Sequence, residues 1–391
     1  MKLTYESMLI LHNIEVRQDQ KNYIVEDATT GEFYEMPLIC IDAITMIQKG
    51  LNLREVEEKL QKQYPEEDVD VLDFAQQLLD LGLVQGVDGE EIVCKKEEEK
   101  LGFSWISPKI GRFFFNQKTM LLYTILFVVN IVLFIVNPSL LPNYKNLFVF
   151  DVMTFNILVW AFITFVLVFI HEMGHVLAVR AYNFPTKVEF GHRLFFVVLE
   201  TDMSSVWKLP AKERNILYLA GMSFDTVILF ITLMIQILFP IHSQVLSGIL
   251  ALAVFDTTLR MVYQCCIYMK TDLYYVFENM TACYNLMENG KRYIKGLFVP
   301  KFRMNNSELF NGEEKVVRFY GLFYVIGVTV TIALAVLFYI PQSVYMMRQT
   351  IPNLQKPVSS LYFWDAAIIM LQTVIMLSFL LYSWRKKYGN E

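Results

Sequence analysis

Val166-Leu167-Val168-Phe169-Ile170-His171-Glu172-Met173-Gly174-His175-Val176-Leu177-Ala178 closes an apolar run that begins at Phe155. The run has the length and character of a helix crossing lipid. His171 and His175 are four residues apart and so share one helix face. Two imidazoles at that spacing can hold one Zn²⁺ ion, with Glu172 beside them as general base. An unpaired ionisable group in hydrocarbon costs roughly several kcal/mol, and a bound metal offsets that cost. The plainer reading is a chance match, since the pattern is short and frequent in soluble sequences. Inside a membrane helix chance is a much weaker explanation.

The rest of the chain fits a membrane setting. It has 391 residues, is 55% hydrophobic and is rich in aromatics, with 31 Phe and 21 Tyr. A net charge of −5 leaves no basic footprint, so no nucleic acid partner is expected. Cys40, Cys94, Cys265, Cys266 and Cys283 form no Cys-x-x-Cys pair; Cys265 and Cys266 adjoin in an apolar stretch and read as packing residues. The opening residues are mixed and charged, unlike a signal peptide.

Composition divides the chain into three regions. Residues 1–90 are polar and soluble in character. Residues 91–118 join a charged linker, Lys95-Lys96-Glu97-Glu98-Glu99-Lys100, to an interfacial stretch with Trp105 and Phe113-Phe114-Phe115. Residues 119–391 carry hydrophobic runs that predict about six spans, near 119–137, 153–180, 214–239, 246–269, 318–340 and 361–383. One set of connections holds Arg180, Lys187, Arg193, Lys208, Lys212 and Arg214, then Lys270, Lys291, Arg292, Lys295, Lys301, Arg303, Lys315 and Arg318, with the terminal Arg385-Lys386-Lys387 on the same side; the other holds only Lys145, Arg348 and Lys356. The positive-inside rule therefore expects both termini in the cytosol of a multi-pass cell-membrane protein. His175 then lies about 8 Å of helix rise before Arg180, which is expected to snorkel to the interface.

A catalytic zinc ion usually takes three protein ligands and a water. Asp225, Asp256 and Asp272 are the acidic candidates for the third position. Asp225 and Asp256 lie roughly 16 Å into the predicted third and fourth spans, and Asp272 just past the fourth. Depth alone leaves Asp272 and Asp225 open. The plainer reading of Asp272 is that it caps a helix beginning there. Asp225 can support a zinc-bound His from behind or tie helices together. Glu200, Asp202 and His192 read as solvated or interfacial. Val188 to Val198 reads as a short hairpin around Gly191 whose edge can receive an unwound substrate, or as a plain connection.

The active helix resembles that of site-2-type intramembrane metalloproteases, in His171-Glu172-Met173-Gly174-His175-Val176-Leu177-Ala178. That family's second motif is Asn-Pro, four residues, then Asp-Gly, often Asp-Gly-Tyr-Tyr, with an Asn-Leu pair further on. Asp272-Leu273-Tyr274-Tyr275-Val276 and Asn285-Leu286 resemble it. The resemblance implies Asp272 as third ligand, and Tyr274 is placed with Asp225 as a candidate support or channel residue. Cys266-Ile267 stands where Asn-Pro is expected and Leu273 where Gly is, a departure that bears on holding substrate backbone rather than metal. The resemblance covers roughly residues 150–290.

In the N-terminal region, Leu9 to Val16, Asn22 to Val25 and Glu32 to Met36 read as three strands, the last after a turn at Thr29-Thr30-Gly31. Pro37 to Lys49, Leu53 to Gln63 and Val69 to Leu81 read as helices, with Pro37 opening the first and Gly50 and Gly82 ending the first and third. This α+β arrangement is winged-helix-like, yet its helices are too acidic for DNA. Tyr23-Ile24-Val25-Glu26-Asp27, Gly31, Pro37, Gly50, Arg54-Glu55-Val56 and Leu81-Gly82-Leu83-Val84 resemble PqqD-like peptide-recognition domains over residues 5–86. The resemblance implies that a precursor's leader adds as a strand beside the third strand and packs on the third helix. Phe33, Tyr34, Glu35, Asp73 and Gln77 are then the candidate peptide-binding residues, and their acidity favours a basic leader. The bland alternative is a structural cap.

The expected fold class is thus an α-helical polytopic membrane protein with a site-2-protease-like core and a small N-terminal α+β domain. The expected function is zinc metallopeptidase action on a ribosomally made precursor peptide at the cytosolic face of the lipid bilayer, in maturation or export. Regulated proteolysis of a membrane-bound regulator and a non-catalytic export or immunity role are the alternatives. Nothing in the sequence fixes the oligomeric state.

Overall fold

The structure, a computed structural model, describes residues 3–20, 22–28, 30–92, 102–193, 196–299, 313–334, 336–337 and 340–388. The charged linker expected at 95–100 lies outside the described residues.

The N-terminal domain builds two sheets around one apolar core. Strands β1 (Leu9–Leu11), β2 (Ile14–Asp19), β3 (Asn22–Asp27) and β4 (Phe33–Met36) precede helices α1 (Leu38–Gln48), α2 (Leu53–Gln63) and α3 (Val71–Asp80), followed by β5 (Val84–Val87) and β6 (Glu90–Glu91). The antiparallel sheet β2-β3-β4 pairs Val16 with Val25 and Val25 with Tyr34. The stretch expected as one strand, Leu9 to Val16, instead breaks after Leu11, and β1 joins β5 and β6 in a second sheet. The break lets Leu9 reach the core beside Val84 and Val87, while β2 runs on to bury Asp19. The β5–β6 wing is too short and too rich in Gly and Glu to announce itself by alternation. Val25, Leu53, Val56, Leu60, Val71, Ala75, Leu78 and Leu83 fill the core. Asn52 accepts the Glu55 N–H and Asp70 the Asp73 N–H, so each of α2 and α3 starts on a side-chain cap.

The second half is a helical bundle. It runs α4 (Pro108–Phe114), α5 (Gln117–Val136), α6 (Met153–Ala181), the hairpin β7 (Val188–Arg193) and β8 (Phe196–Thr201), α7 (Ala211–Tyr218), α8 (Ala220–Leu238), α9 (Gln244–Gln264), α10 (Asp272–Thr281), α11 (Leu286–Phe298), α12 (Glu314–Leu334), α13 (Ile340–Thr350) and α14 (Leu361–Tyr388). Among the described residues six helices are long and apolar enough to cross a membrane: α5, α6, α8, α9, α12 and α14 over Leu361–Ser378. Their outward faces carry exposed Leu121, Ile125, Phe162, Phe165, Val330 and Leu371, as lipid contact requires. Helix α6 is central, against α4, α8, α9 and α14. Its first turn is held by Asp365 of α14, which accepts from Thr154 N–H at 2.8 Å and Thr154 Oγ1–H at 2.6 Å.

Two boundaries differ from the hydropathy reading. The third span begins at Ala220, because 211–218 forms the separate helix α7. Asp225 is therefore five residues into its helix, roughly 8 Å rather than 16 Å deep. The fourth ends at Gln264, and Lys270 takes a left-handed backbone that turns the chain into α10. Arg180 does not snorkel to water. It is buried, and its Nε and Nη2 donate to the Ile106 carbonyl at 3.1 and 3.0 Å, its Nη1 to that of Phe184 at 2.7 Å. Carbonyl oxygens of the interfacial stretch and of the loop after α6 satisfy the guanidinium donors in place of water.

Candidate metal centre

Helix α6 packs on α8 through two glycines. A Cβ on Gly174 would lie 2.7 Å from the Ala220 carbonyl oxygen. A Cβ on Gly221 would lie 2.6 Å from His175 Nε2 and would strike His171 Nε2 as well. The two backbones can approach, with both imidazoles between them, only because no side chain stands there.

Each imidazole is held by its Nδ1. His171 Nδ1 is 2.8 Å from Asp225 Oδ2, and His175 Nδ1 is 2.9 Å from the Leu217 carbonyl oxygen. An ionised carboxylate and a carbonyl only accept, so both Nδ1 atoms carry the proton and donate. That leaves both Nε2 atoms as lone-pair acceptors. They face Asp272 Oδ2 at 3.1 Å for His171 and 3.4 Å for His175. The donor atoms of His171, His175 and Asp272 lie within 4.8 Å of one another, and all three residues are buried. Lone pairs converging in a dry site require a cation or extra protons between them, and two nitrogens with one carboxylate oxygen make a donor set suited to zinc.

Asp272 reaches this point because the chain leaves helix after α9. Gln264 then grips it from both sides: its Nε2 donates to Asp272 Oδ2 at 2.9 Å and its Oε1 accepts the Asp272 N–H at 2.9 Å. Thr271 Oγ1 donates to the Gln264 carbonyl at 2.7 Å and closes the loop. The Asp272 carboxylate therefore faces the imidazoles and does not cap α10, whose cap residue is Thr271.

Glu172 borders a cleft of about 330 Å³ shared with His175, Asp272, Glu200, Trp207 and Tyr275. Thr201 Oγ1, on β8, donates to Glu172 Oε2 at 2.8 Å. Glu189 and Asp202 also line this cleft, so Glu200 and Asp202, which the sequence reads as solvated, stand in its wall. A larger cavity, about 490 Å³, lies against β1 between Met8, Ile10, Gly50 and Asp88, but the smaller cleft is where the buried imidazole and carboxylates converge. Gly191 sits within β7 opposite Val198, under the Glu200 carboxylate, and is not the turn. The reversal falls between Arg193 and its partner Phe196, and Leu194 and Phe195 lie outside the described residues.

The remaining sequence candidates fall in different places. Asp225 stands behind His171. Asp256 is not in the cluster and bonds elsewhere: it accepts from Trp160 Nε1 at 3.2 Å and Thr164 Oγ1 at 2.6 Å. Tyr274 faces away from the centre, donating to Glu278 and accepting the Met287 N–H at 3.0 Å; Tyr275 lines the cleft instead, since adjacent helical side chains diverge. In the N-terminal domain Tyr34 OH donates to Glu32 Oε2 at 2.6 Å and lies 3.2 Å from the Leu81 carbonyl, tying β4 to the end of α3. Asp73 accepts from Gln77 at 2.7 Å on the exposed face of α3. Phe33 is half-buried on β4, whose outer edge pairs with no strand among the described residues. Glu35 shares the Phe33 face of β4 and turns toward the bundle, near Glu278 and Glu313. Burial pushes its carboxyl up to about 7; an Asn22 hydrogen bond opposes the shift, and the nearby carboxylates Glu313, Glu278 and Asp19 add to it.

The two halves meet at a joint that adjoins the cleft wall. Arg214 of α7 is fully buried and donates from Nη2 to Asp19 Oδ2 at 2.5 Å and Tyr284 OH at 2.9 Å. Its guanidinium lies 4.6 Å from the Trp207 ring centroid. Gln20 Nε2 donates to the Asn279 carbonyl at 2.9 Å, and Lys208 pairs with Glu26 at 2.6 Å. Gln264, Thr201 and Arg214 were not singled out from sequence. The first two are neutral polar residues without a pattern, and Arg214 counted only as a loop charge.

Fold and site define a mostly helical chain with six candidate spans, a small N-terminal sheet-containing domain and a buried His-His-Asp cluster. No family model matches the chain, and no curated protein or solved structure matches it.

Proposed function

We propose that the protein is an intramembrane zinc metallopeptidase with cytosolic termini, and that its N-terminal domain captures a ribosomally made precursor peptide for cleavage at the cytosolic membrane face. The observation that carries the reading is the convergence of two Nδ1-committed imidazoles and Asp272, whose lone pairs share one buried point. His171, His175 and Asp272 would hold the ion, which when bound supplies Lewis acidity toward a peptide carbonyl. Glu172, held by Thr201 and bordering the cleft, takes the proton of the attacking water and passes it to the leaving amine. The β7–β8 hairpin gives the cleft an extended edge, against which an unwound substrate segment can pair. Capture upstream rests on the PqqD-like resemblance and on the open outer edge of β4 beside α3.

Elemental analysis of detergent-purified protein tests the reading. About one zinc per chain is expected, lost in His171→Ala and retained in Glu172→Gln, with Glu172→Gln unable to hydrolyse peptides that the wild type cleaves. Absence of a stoichiometric transition metal from the wild type overturns the proposal.

A further inference from the structure

Two charged groups inside the bundle have no part in the centre so far: Arg260 and Asp256, one turn apart on α9. Arg260 Nη2 donates to Asp225 Oδ1 at 2.8 Å, and its Nε lies 3.4 Å from Asp225 Oδ2. Asp225 Oδ2 is the same oxygen that accepts from His171 Nδ1 at 2.8 Å. Arg260 Nη1 faces Asp256 Oδ2 at 3.6 Å, and Asp256 Oδ1 is anchored by Trp160 and Thr164 of α6. The side chains of Asp225 and Asp256 are 1% and 8% exposed and that of Arg260 14%, so the whole row is out of bulk water.

A guanidinium at this depth is costly, and a simple tie between α8 and α9 needs only a neutral hydrogen bond. The fork does something a neutral group cannot. It engages both oxygens of Asp225, which fixes the plane of the carboxylate and leaves Oδ2 aimed at His171. A carboxylate held at one oxygen alone can swing, and the imidazole swings with it. Asp256 in turn sets a counter-charge 3.6 Å from the fork, and its own anchors, Trp160 and Thr164, sit on the helix that carries His171 itself.

We propose that Asp256, Arg260 and Asp225 form a positioning row that sets the tautomer and angle of His171, with Arg260 as the residue that makes Asp225 effective. The inference rests on the metallopeptidase reading for the identity of what His171 Nε2 addresses. The row touches neither substrate nor metal: it acts through the imidazole. Outer partners of metal-bound histidines change metal affinity by roughly ten- to a hundredfold when removed.

The test uses full-length protein in detergent, loaded with Co²⁺ or Zn²⁺. Arg260→Met is expected to weaken zinc retention against a chelator by about tenfold or more and to shift the visible cobalt absorption bands. Arg260→Lys, which keeps the charge but loses the planar fork, is expected to restore affinity only in part. Asp225→Asn combined with Arg260→Met should be little worse than Asp225→Asn alone, since both act on one imidazole. Asn130→Ala, which removes the donor to the Thr226 carbonyl between α5 and α8, serves as the structural control and should leave the cobalt bands unmoved. Should Arg260→Met fold poorly, Arg260→Lys and Asp256→Asn carry the same spectral test. Unchanged cobalt bands and zinc affinity in the Arg260 and Asp256 variants overturn the positioning row. A wild type that holds no metal overturns the metallopeptidase reading instead, so the two failures are distinct.

Discussion

Gln264 holds Asp272 as a reciprocal pair, its amide nitrogen on the carboxylate and its amide oxygen on the backbone N–H, both at 2.9 Å. The pair spans the break between α9 and α10 and decides where the carboxylate points. Gln264→Leu keeps much of the side chain's bulk but removes both bonds. It is expected to lower zinc affinity about tenfold, as loss of an outer partner does, with helix content unchanged by circular dichroism. Gln264→Glu should be worse, because a second carboxylate replaces the donor facing Asp272 Oδ2.

Thr201 is the partner of Glu172 across the cleft, with its Oγ1 at 2.8 Å from Oε2. Thr201→Val preserves shape and removes only the hydroxyl donor. Hydrolysis is expected to fall about tenfold, part of the roughly 10²- to 10⁴-fold that a positioned base contributes. Zinc content should not change, because Thr201 touches none of the three metal-facing residues. Loss of metal in this variant would contradict the assignment of Thr201 to Glu172 alone.

What could be read directly was whatever lies close in sequence or repeats with a period. His171, Glu172 and His175 are neighbours on one helix, so their spacing carries their geometry. The long apolar helices are visible because hydrocarbon demands roughly twenty apolar residues in a row. Asp272 lies 101 residues from His171, and no spacing rule reaches that far; the family resemblance singled it out over Asp225. Hydropathy averages across the junction of α7 and α8, so it sets Asp225 deeper in its span than the structure does. Arg260 was invisible for a related reason: on a hydropathy scale a guanidinium only subtracts from a span, and nothing local names the two carboxylates that surround it. Glu35 alternates correctly with Tyr34 along β4, but sequence does not say that the face it shares with Phe33 is covered by a second domain.

Glu35 also gives the joint a dependence on pH. Burial lifts its carboxyl from the ordinary 4.5 to about 7, with Glu313, Glu278 and Asp19 as like-charged neighbours and Asn22 as the opposing donor. Burial lifts Glu278 to about 7 as well, against hydrogen bonds from Tyr274 and Leu286. A carboxyl raised on folding favours the protonated, folded state, so its contribution is fully present below 4.5 and is lost as pH rises through about 7. The thermal midpoint should therefore fall between about pH 5 and about pH 8. Glu35→Gln should flatten part of that slope, and an unchanged slope in this variant would show that Glu35 does not carry it.

Asp19 and Arg214 make the sharpest test of the joint itself. Arg214 is 0% exposed and Asp19 4%. Arg214 Nε and Nη1 have no hydrogen-bond partner among the described residues, so the faces of Trp207 and Tyr284, with ring centroids at 4.6 and 5.6 Å, take up the rest of the charge. Removing the carboxylate by Asp19→Asn leaves a buried cation with only Tyr284 OH and two rings, and breaking such a pair costs about 3–5 kcal/mol. Arg214→Met leaves Asp19 buried against the Tyr284 hydroxyl and should cost a similar amount. The double variant should be more stable than either single one, because it strands no charge. Chemical denaturation followed by fluorescence of Trp207, which touches the guanidinium, reads all three variants. Additive losses in the double variant would mean that the two residues stabilise the joint independently and that the pair is not what clamps the halves together.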